Sequence, residues 1–396
     1  MSDCVSPFFT KCLRVFLFSI CIVILWLSSQ IHFNRTERYS DKASLAFDMA
    51  QGVFRATDVS ESGPTGPKYE VYNCKTYLHK KPGSLPDFLV AGVHKGGSTA
   101  LFGYLSQHGS IYPSACKEIN FFSRDELWSK GLHFYRRHFH DLSNTPGVIT
   151  GEGTPNYIRN PTATLRIAKS LPNVSVLVAL RDPTERFISQ YVGFVDRKLT
   201  KLSCDEYWEK ELEEINMCVS TYKKESYEPS PTNIGLNEAE ALNVVASGSK
   251  LYRDPLERKP PSSCEEDDQS CVYRYCLSVL HENAISRGVY VDQLVRWLHF
   301  YPAKQILPLQ SETLQGSTAE TMQKVVSFLG LRMYNAKELE AFHKTRVGSS
   351  HHANPLSQQC DRSRIRSYYA KDNRILYDVL KAQWPEVGDQ WSIWES

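Results

Sequence analysis

The sequence predicts an α/β protein: a mostly parallel sheet with helices on both faces, preceded by one membrane-spanning helix. Three observations carry this reading. From residue 86 onward, short apolar runs rich in branched residues alternate with helical periodicity. The first run ends in a glycine-rich turn that opens a helix. Residues 15–34, VFLFSICIVILWLSSQIHFN, contain no Asp, Glu, Lys or Arg.

That uncharged run is long enough for a spanning helix, which needs about 20 residues. Lys11 and Arg14 precede it and Arg35 and Arg38 follow, mixed with Glu37 and Asp41; the Lys/Arg count favours a cytoplasmic amino terminus. A cleaved signal peptide is the alternative, although no A-x-A-like site follows Ser28 and Ser29. Residues 1–14 are read as a cytoplasmic tail, 15–34 as the signal anchor, and 35–85, with GPTGP and KKPGSLP, as a lumenal stem. Residues 86–396 form the folded domain.

Within that domain, strands are expected at 87–92, at 148–152 and at 174–180, with helices at 99–107 and 184–196. A helix at 289–300, a strand at 305–309 and helices at 318–329 and 372–382 follow. Ligands of such a sheet lie beyond the carboxyl ends of its strands. Residues 198–283, including SYEPSPTN and RKPPSSCEEDDQSC, break the alternation. They read as an elaboration of the core, either a substrate-facing lid or a disulfide-stapled surface excursion.

Composition narrows the classes. Hydrophobic residues at 41% and charged residues at 23% exclude wholesale disorder. Lys+Arg 46 against Asp+Glu 44 gives +2, which implies no nucleic-acid partner. Of eleven cysteines, Cys4, Cys12 and Cys21 fall before or within the span. The other eight would face an oxidising lumen, where an even number permits full pairing in any of 105 connectivities. Cys264, Cys271 and Cys276 lack a CxxC pair and histidines at zinc spacing, so no metal is expected. Asn34 and Asn173 head glycosylation sequons, the second beside a strand.

Two turns are built for anions. In the first, Gly92-Val-His-Lys-Gly-Gly-Ser-Thr, Gly96 and Gly97 let the backbone wrap an oxyanion at a helix start. Ser98 and Thr99 add hydroxyls there and Lys95 adds charge. Lysine precedes the glycines, so this is not the GxxxxGK[ST] order of a nucleotide kinase or other P-loop NTPase. In the second, Arg181 ends a strand, and Asp182, Pro183 and Glu185 sit at N-cap, N1 and N3 of the next helix. Ser189 lies two turns along that helix on nearly the same face as Asp182; a guanidinium and a hydroxyl converging this way suit a phosphate monoester.

Lys95-Gly-Gly-Ser-Thr followed by Arg181 and Ser189 resembles, in residue type, spacing and order, the two phosphate-binding elements of the Golgi membrane PAPS-dependent carbohydrate sulfotransferases. The resemblance runs from about residue 86 to 196. It resumes at Arg287-Gly-Val-Tyr, which is similar to that family's RGxYxxxLxxWLxxFP helix, and weakly at 346–352 and 373–376. It implies a P-loop-like parallel sheet flanked by helices, the sulfotransferase fold. It also implies PAPS as co-substrate without a metal, a glycosaminoglycan acceptor, and a single-pass type II Golgi protein with a lumenal catalytic domain. Lys95, Gly96, Gly97, Ser98, Thr99, Arg181 and Ser189 would then bind the donor, with Lys95 also catalytic.

Lys117-Glu-Ile-Asn-Phe-Phe resembles the Lys-Glu-x-His-Phe-Phe segment of the heparan sulfate glucosaminyl sulfotransferases. The resemblance makes Glu118 the catalytic base and Lys117 a cation on the cofactor or substrate side. His94, His138 and His140 are rival bases. Glu152 is placed at the substrate, where it orients Lys95 or the acceptor, or pairs with a neighbouring base. Two departures stand out: Asn120 replaces the family's histidine, and Gly153 occupies its lysine position in Glu-Lys-Ser/Thr-Pro. The second leans the expectation toward 6-O-sulfation of galactosamine in chondroitin or dermatan sulfate, with a heparan sulfate glucosaminyl sulfotransferase as the alternative. A non-catalytic glycan-binding membrane protein is the alternative of another class.

Overall fold

The computed structural model describes residues 78–221, 269–344, 355–392 and 394. The expected tail, anchor and nearly all of the stem lie outside the described residues, as do Asn34, 222–268 and 346–352. Among the described residues no helix is long and apolar enough to cross a membrane.

Four parallel strands form one sheet in the order β2-β1-β3-β4. They are β1 (Phe88–Gly92), β2 (Gly151–Gly153), β3 (Ser175–Leu180) and β4 (Ile306–Gln310). The two central strands, FLVAG and SVLVAL, read as continuous apolar runs because both of their faces are covered. Pro308 pairs with Val178 in β4, an edge strand, where a missing N–H leaves no ladder bond open.

Alternate residues of each strand feed two cores. On one face, Leu89, Ala91, Val176, Val178 and Leu180 pack with α4 (Pro161–Ser170), α5 (Pro183–Asp196), α8 (Tyr290–Phe300) and α12 (Arg362–Gln383). On the other, Phe88, Val90, Leu177, Ala179 and Leu309 meet α1 (Ser98–Leu105), α9 (Ser311–Gly316), α10 (Thr318–Phe328) and α11 (Ala336–Lys344). Short helices α2 (Asp125–Trp128) and α3 (Gly131–Arg136) join β1's unit to β2.

Residues 198–283 contribute more to the core than their composition suggests. Helices α6 (Cys204–Thr221) and α7 (Gln269–Val279) occupy their two ends. Tyr207, Trp208, Glu211, Ile215 and Val219 form a buried stripe on α6 at helical spacing. Disulfides Cys204–Cys360 and Cys218–Cys276 tie α6 to the chain before α12 and to α7, and Cys116 is half of a further disulfide. The expected helix at 372–382 starts ten residues earlier, at Arg362, with Asp361 as its N-cap accepting from the Arg364 N–H at 3.0 Å.

All four strands point the same way, so their carboxyl ends open onto one rim. Loop 93–97 is fixed there from two sides. The Val93 N–H donates to the Ala179 carbonyl at 3.0 Å, and the Ser311 hydroxyl donates to the Gly96 carbonyl.

Candidate active site

The loop after β1 takes its shape from a few required conformations. Gly97 caps α1 in the left-handed region, φ 88°, and offers no side chain to the first-turn N–H groups, which remain available to a ligand. A Cβ on Gly96 would lie 2.5 Å from the Ala179 carbonyl oxygen, so only glycine brings this loop against β3. Ser98 is buried in the first turn and Thr99 is exposed.

Lys95 turns toward α5, with its Nζ 3.6 Å from the point where a Cβ on Gly193 would sit. Arg197, at the end of α5, lies over the same glycine. Arg181 donates from Nη1 to the Lys95 carbonyl at 3.3 Å, and the Tyr290 hydroxyl fixes the Arg181 carbonyl at 2.8 Å. Burial, followed by the fields of Arg197 and Arg181, pushes the Lys95 ammonium down to about 8. Three cations in one partly buried place are a receptor for a multivalent anion.

The helix start after Arg181 departs from the expected capping box in one respect. Asp182 caps it, accepting from the Thr184 N–H at 2.8 Å, with Pro183 at N1. The Asp182 N–H is taken by Glu312 at 3.0 Å, while Glu185 pairs with Arg362 at 2.7 Å. Ser189 is buried on α5. Arg197 is the third cation beside this loop, and the motif did not reveal it.

The second half of the site is the loop 117–120. Lys117 and Glu118 form an ion pair at 3.1 Å, the lysine nearly buried and the carboxylate 27% exposed. Glu118 and Asn120 both adopt the left-handed region, φ 65° and 56°. Asparagine tolerates that region better than most residues, which accounts for Asn120. Its Nδ2 donates to the Glu118 carbonyl at 2.7 Å and its N–H to Thr154 Oγ1 at 3.3 Å.

Glu152 sits in the interior, entirely without solvent exposure. Its carboxylate accepts from the hydroxyls of Tyr135 at 2.7 Å, Tyr157 at 3.0 Å and Thr154 at 2.6 Å. Burial pushes this carboxyl up to about 7 against the pull of those hydroxyls and of Lys117. Gly153 lies under Lys117 and Phe102: a Cβ there would be 3.1 Å from the Phe102 ring and 3.5 Å from Lys117 Cε.

The three histidines divide by environment. His138 is buried against Cys116, with Nδ1 3.6 Å from its sulfur, and burial pushes it down to about 4. His140 packs between the rings of His79 and Tyr112, and burial pushes it down to about 4 as well. His94 lies in the β1 loop itself; burial, then Arg287, Lys95, Arg186 and Arg159, hold its imidazole neutral.

Residues 85–373 match the sulfotransferase domain family. The membrane-associated sulfotransferase kil1 of Dictyostelium discoideum is 26% identical over 75% of this chain and 65% of that protein. The heparan sulfate glucosamine 3-O-sulfotransferase 5 of Mus musculus is 31% identical over 78% of this chain and 77% of its own length. The bifunctional heparan sulfate N-deacetylase/N-sulfotransferase 3 of Homo sapiens is 25% identical over 65% of this chain and 24% of its own. The chain thus spans just under two thirds of the first of these relatives and about a quarter of the third. With residues 85–373 matching the sulfotransferase domain, the chain belongs to the sulfotransferase family, enzymes that move a sulfuryl group from a donor to an acceptor.

Proposed function

We propose that this protein transfers a sulfuryl group from PAPS to a glycosaminoglycan at the lumenal face of a Golgi membrane, held there by residues 15–34. The observation that carries the proposal is the junction of the two anion-binding turns. Arg181 after β3 bonds directly to the backbone of Lys95 after β1. A ligand with two separated phosphate groups spans such a junction.

In this reading 96–99 and Lys95 hold the 5′-phosphosulfate, and Arg181 and Ser189 hold the 3′-phosphate. Glu118 takes the acceptor proton as the new S–O bond forms and the bond from sulfur to the leaving phosphate oxygen breaks. Lys95 stabilises charge on that oxygen, an electrostatic contribution from a positioned cation. Lys117 faces the acceptor and pairs with Glu118 at 3.1 Å. Glu152 acts through Lys117 and Thr154 rather than on the acceptor. His138 and His140, packed in ring and sulfur contacts, serve the fold.

The acceptor we favour is a heparan-type glucosamine, the residue named in the mouse relative. The lean toward chondroitin or dermatan sulfate rested on Gly153 and finds no support in the relatives above. The packing gives a reason: Phe102 and Lys117 already fill the space over Gly153, so the missing lysine does not leave this mouth without a cation. Glu118→Gln should retain PAP binding and lose transfer; turnover at the wild-type rate would refute the base assignment.

A further inference from the structure

Arg186, Arg159 and Arg287 take no part in the donor and base roles proposed above. Arg186 is wholly buried and donates to neutral acceptors, the Gln190 amide oxygen and the Ala284 carbonyl. Arg159 and Arg287 have side chains only 5% and 11% exposed. Both reach the same carboxylate: Glu282 lies 2.7 Å from Arg159 Nη2 and 2.6 Å from Arg287 Nη2. Yet Glu282 is 67% exposed. An exposed carboxylate thus caps two guanidiniums that are themselves withdrawn from water, and Arg287 Nε has no partner among the described residues.

The cap adjoins the acceptor side of the site. Arg159 Nε donates to Asn156 Oδ1 at 3.3 Å, and Asn156 Nδ2 donates to Asn120 Oδ1 at 3.4 Å. Asn120 in turn holds the Glu118 carbonyl. One asparagine therefore separates the arginine pair from the loop of the catalytic base. Burial, then the field of Arg159, pushes Arg287 down to about 10 against the pull of Glu282.

We propose that Arg159 and Arg287 form a subsite for an oxyanion of an acidic glycan, a sulfate ester or a uronate carboxylate, and that Glu282 occupies it until the glycan displaces it. A sulfate or carboxylate presents the same planar or fork-like oxygens to paired guanidiniums as Glu282 does. The displaced side chain swings into water, where its solvation replaces the ion pair. This inference rests on the glycan reading of the site, and it adds a preference: the acceptor carries an anionic group beside the sugar that is sulfated.

The test is calorimetric binding of a heparin-derived hexasaccharide to the full chain saturated with PAP. Removing the competing carboxylate in Glu282→Gln should tighten binding about tenfold, the scale of one charge-assisted hydrogen-bonding pair. Arg287→Gln should weaken it by a similar factor, with PAP affinity unchanged in both. Glu126→Gln, an exposed carboxylate elsewhere, controls for general charge and should change nothing. Desulfated and carboxyl-reduced hexasaccharides then separate the two sources of the oxyanion, since only one should keep the response to Glu282→Gln. If Glu282→Gln lowers the melting temperature and leaves hexasaccharide affinity at the wild-type or Glu126→Gln value, the pair only holds the fold and the proposal fails. Glu282 is exposed, so that variant decides the matter even if Arg287→Gln does not fold. Failure of the wild-type chain to bind PAP would instead overturn the donor reading.

Discussion

Binding of PAP should take up a proton at alkaline pH, and Lys95 should be its destination. The fold holds the Lys95 ammonium at about 8 because it is largely buried beside Arg197 and Arg181. A phosphate placed on the same cations reverses the sign of the local field and returns the lysine toward its ordinary 10.5. At pH 7 about nine chains in ten already carry the charge; at pH 9 only about one in eleven does. Affinity for PAP should therefore fall about tenfold between pH 7 and pH 9, or about 1.4 kcal/mol. The second ionisation of a phosphate monoester, near pH 6, is complete over this range and does not contribute. Titration calorimetry in buffers of different ionisation enthalpy counts the proton directly: about 0.9 per PAP at pH 9 and about 0.1 at pH 7. Lys95→Arg keeps a cation that does not titrate here and should bind with no such dependence. A wild-type affinity that is flat from pH 7 to pH 9, or an equal slope in Lys95→Arg, would refute the placement of Lys95 against the donor.

Other substitutions probe the supports of the site. Gly96→Ala drives a methyl to 2.5 Å from a backbone carbonyl that cannot yield, and should lower stability by about 1–3 kcal/mol and weaken PAP binding. A melting curve matching the wild type would contradict that packing. Asn120→Ala must keep a left-handed backbone without its side-chain bonds and should cut transfer about tenfold at unchanged PAP affinity. Asn120→Gly, free to adopt that backbone, should recover part of the loss; identical rates for the two variants would deny Asn120 a positioning role. Glu152 is held at about 7 in the fold against its ordinary 4.5, so it stabilises the fold below pH 4.5. That contribution, about 3 kcal/mol, is lost as pH rises through 7. The melting temperature of the wild type should fall over this interval relative to Glu152→Gln; parallel profiles would show that the buried carboxyl does not titrate there.

The sheet was legible where both faces of a strand are buried. FLVAG and SVLVAL announce themselves, and Asp182-Pro183 marks the start of α5 unambiguously. The strand expected at 148–152 is there but lies further along, at Gly151–Gly153, where the apolar signal of Val148 and Ile149 gives way to Gly-Glu-Gly and three hydroxyls enclose the carboxylate. The first turns of α12 carry Arg362, Arg364 and Arg366, and α6 carries DEYWEKELEE, so their apolar stripes were hidden among charges. On the donor side, Lys95 and Arg181 follow adjacent parallel strands, and a local reading brings them together. Arg197 escaped because it reaches them only through the length of α5. Arg159 escaped for a related reason: it lies 123 residues before Glu282, and only the folded chain shows that it meets Glu282 and Arg287.

Transfer of labelled sulfate from PAPS by the full chain, across native and desulfated heparan, chondroitin and dermatan polymers, tests the central claim most directly. The account predicts label on a heparan-type polymer, located by disaccharide analysis on glucosamine, and none in Glu118→Gln. A chain that binds PAP yet labels none of these polymers, under conditions where a known sulfotransferase labels them, would contradict it.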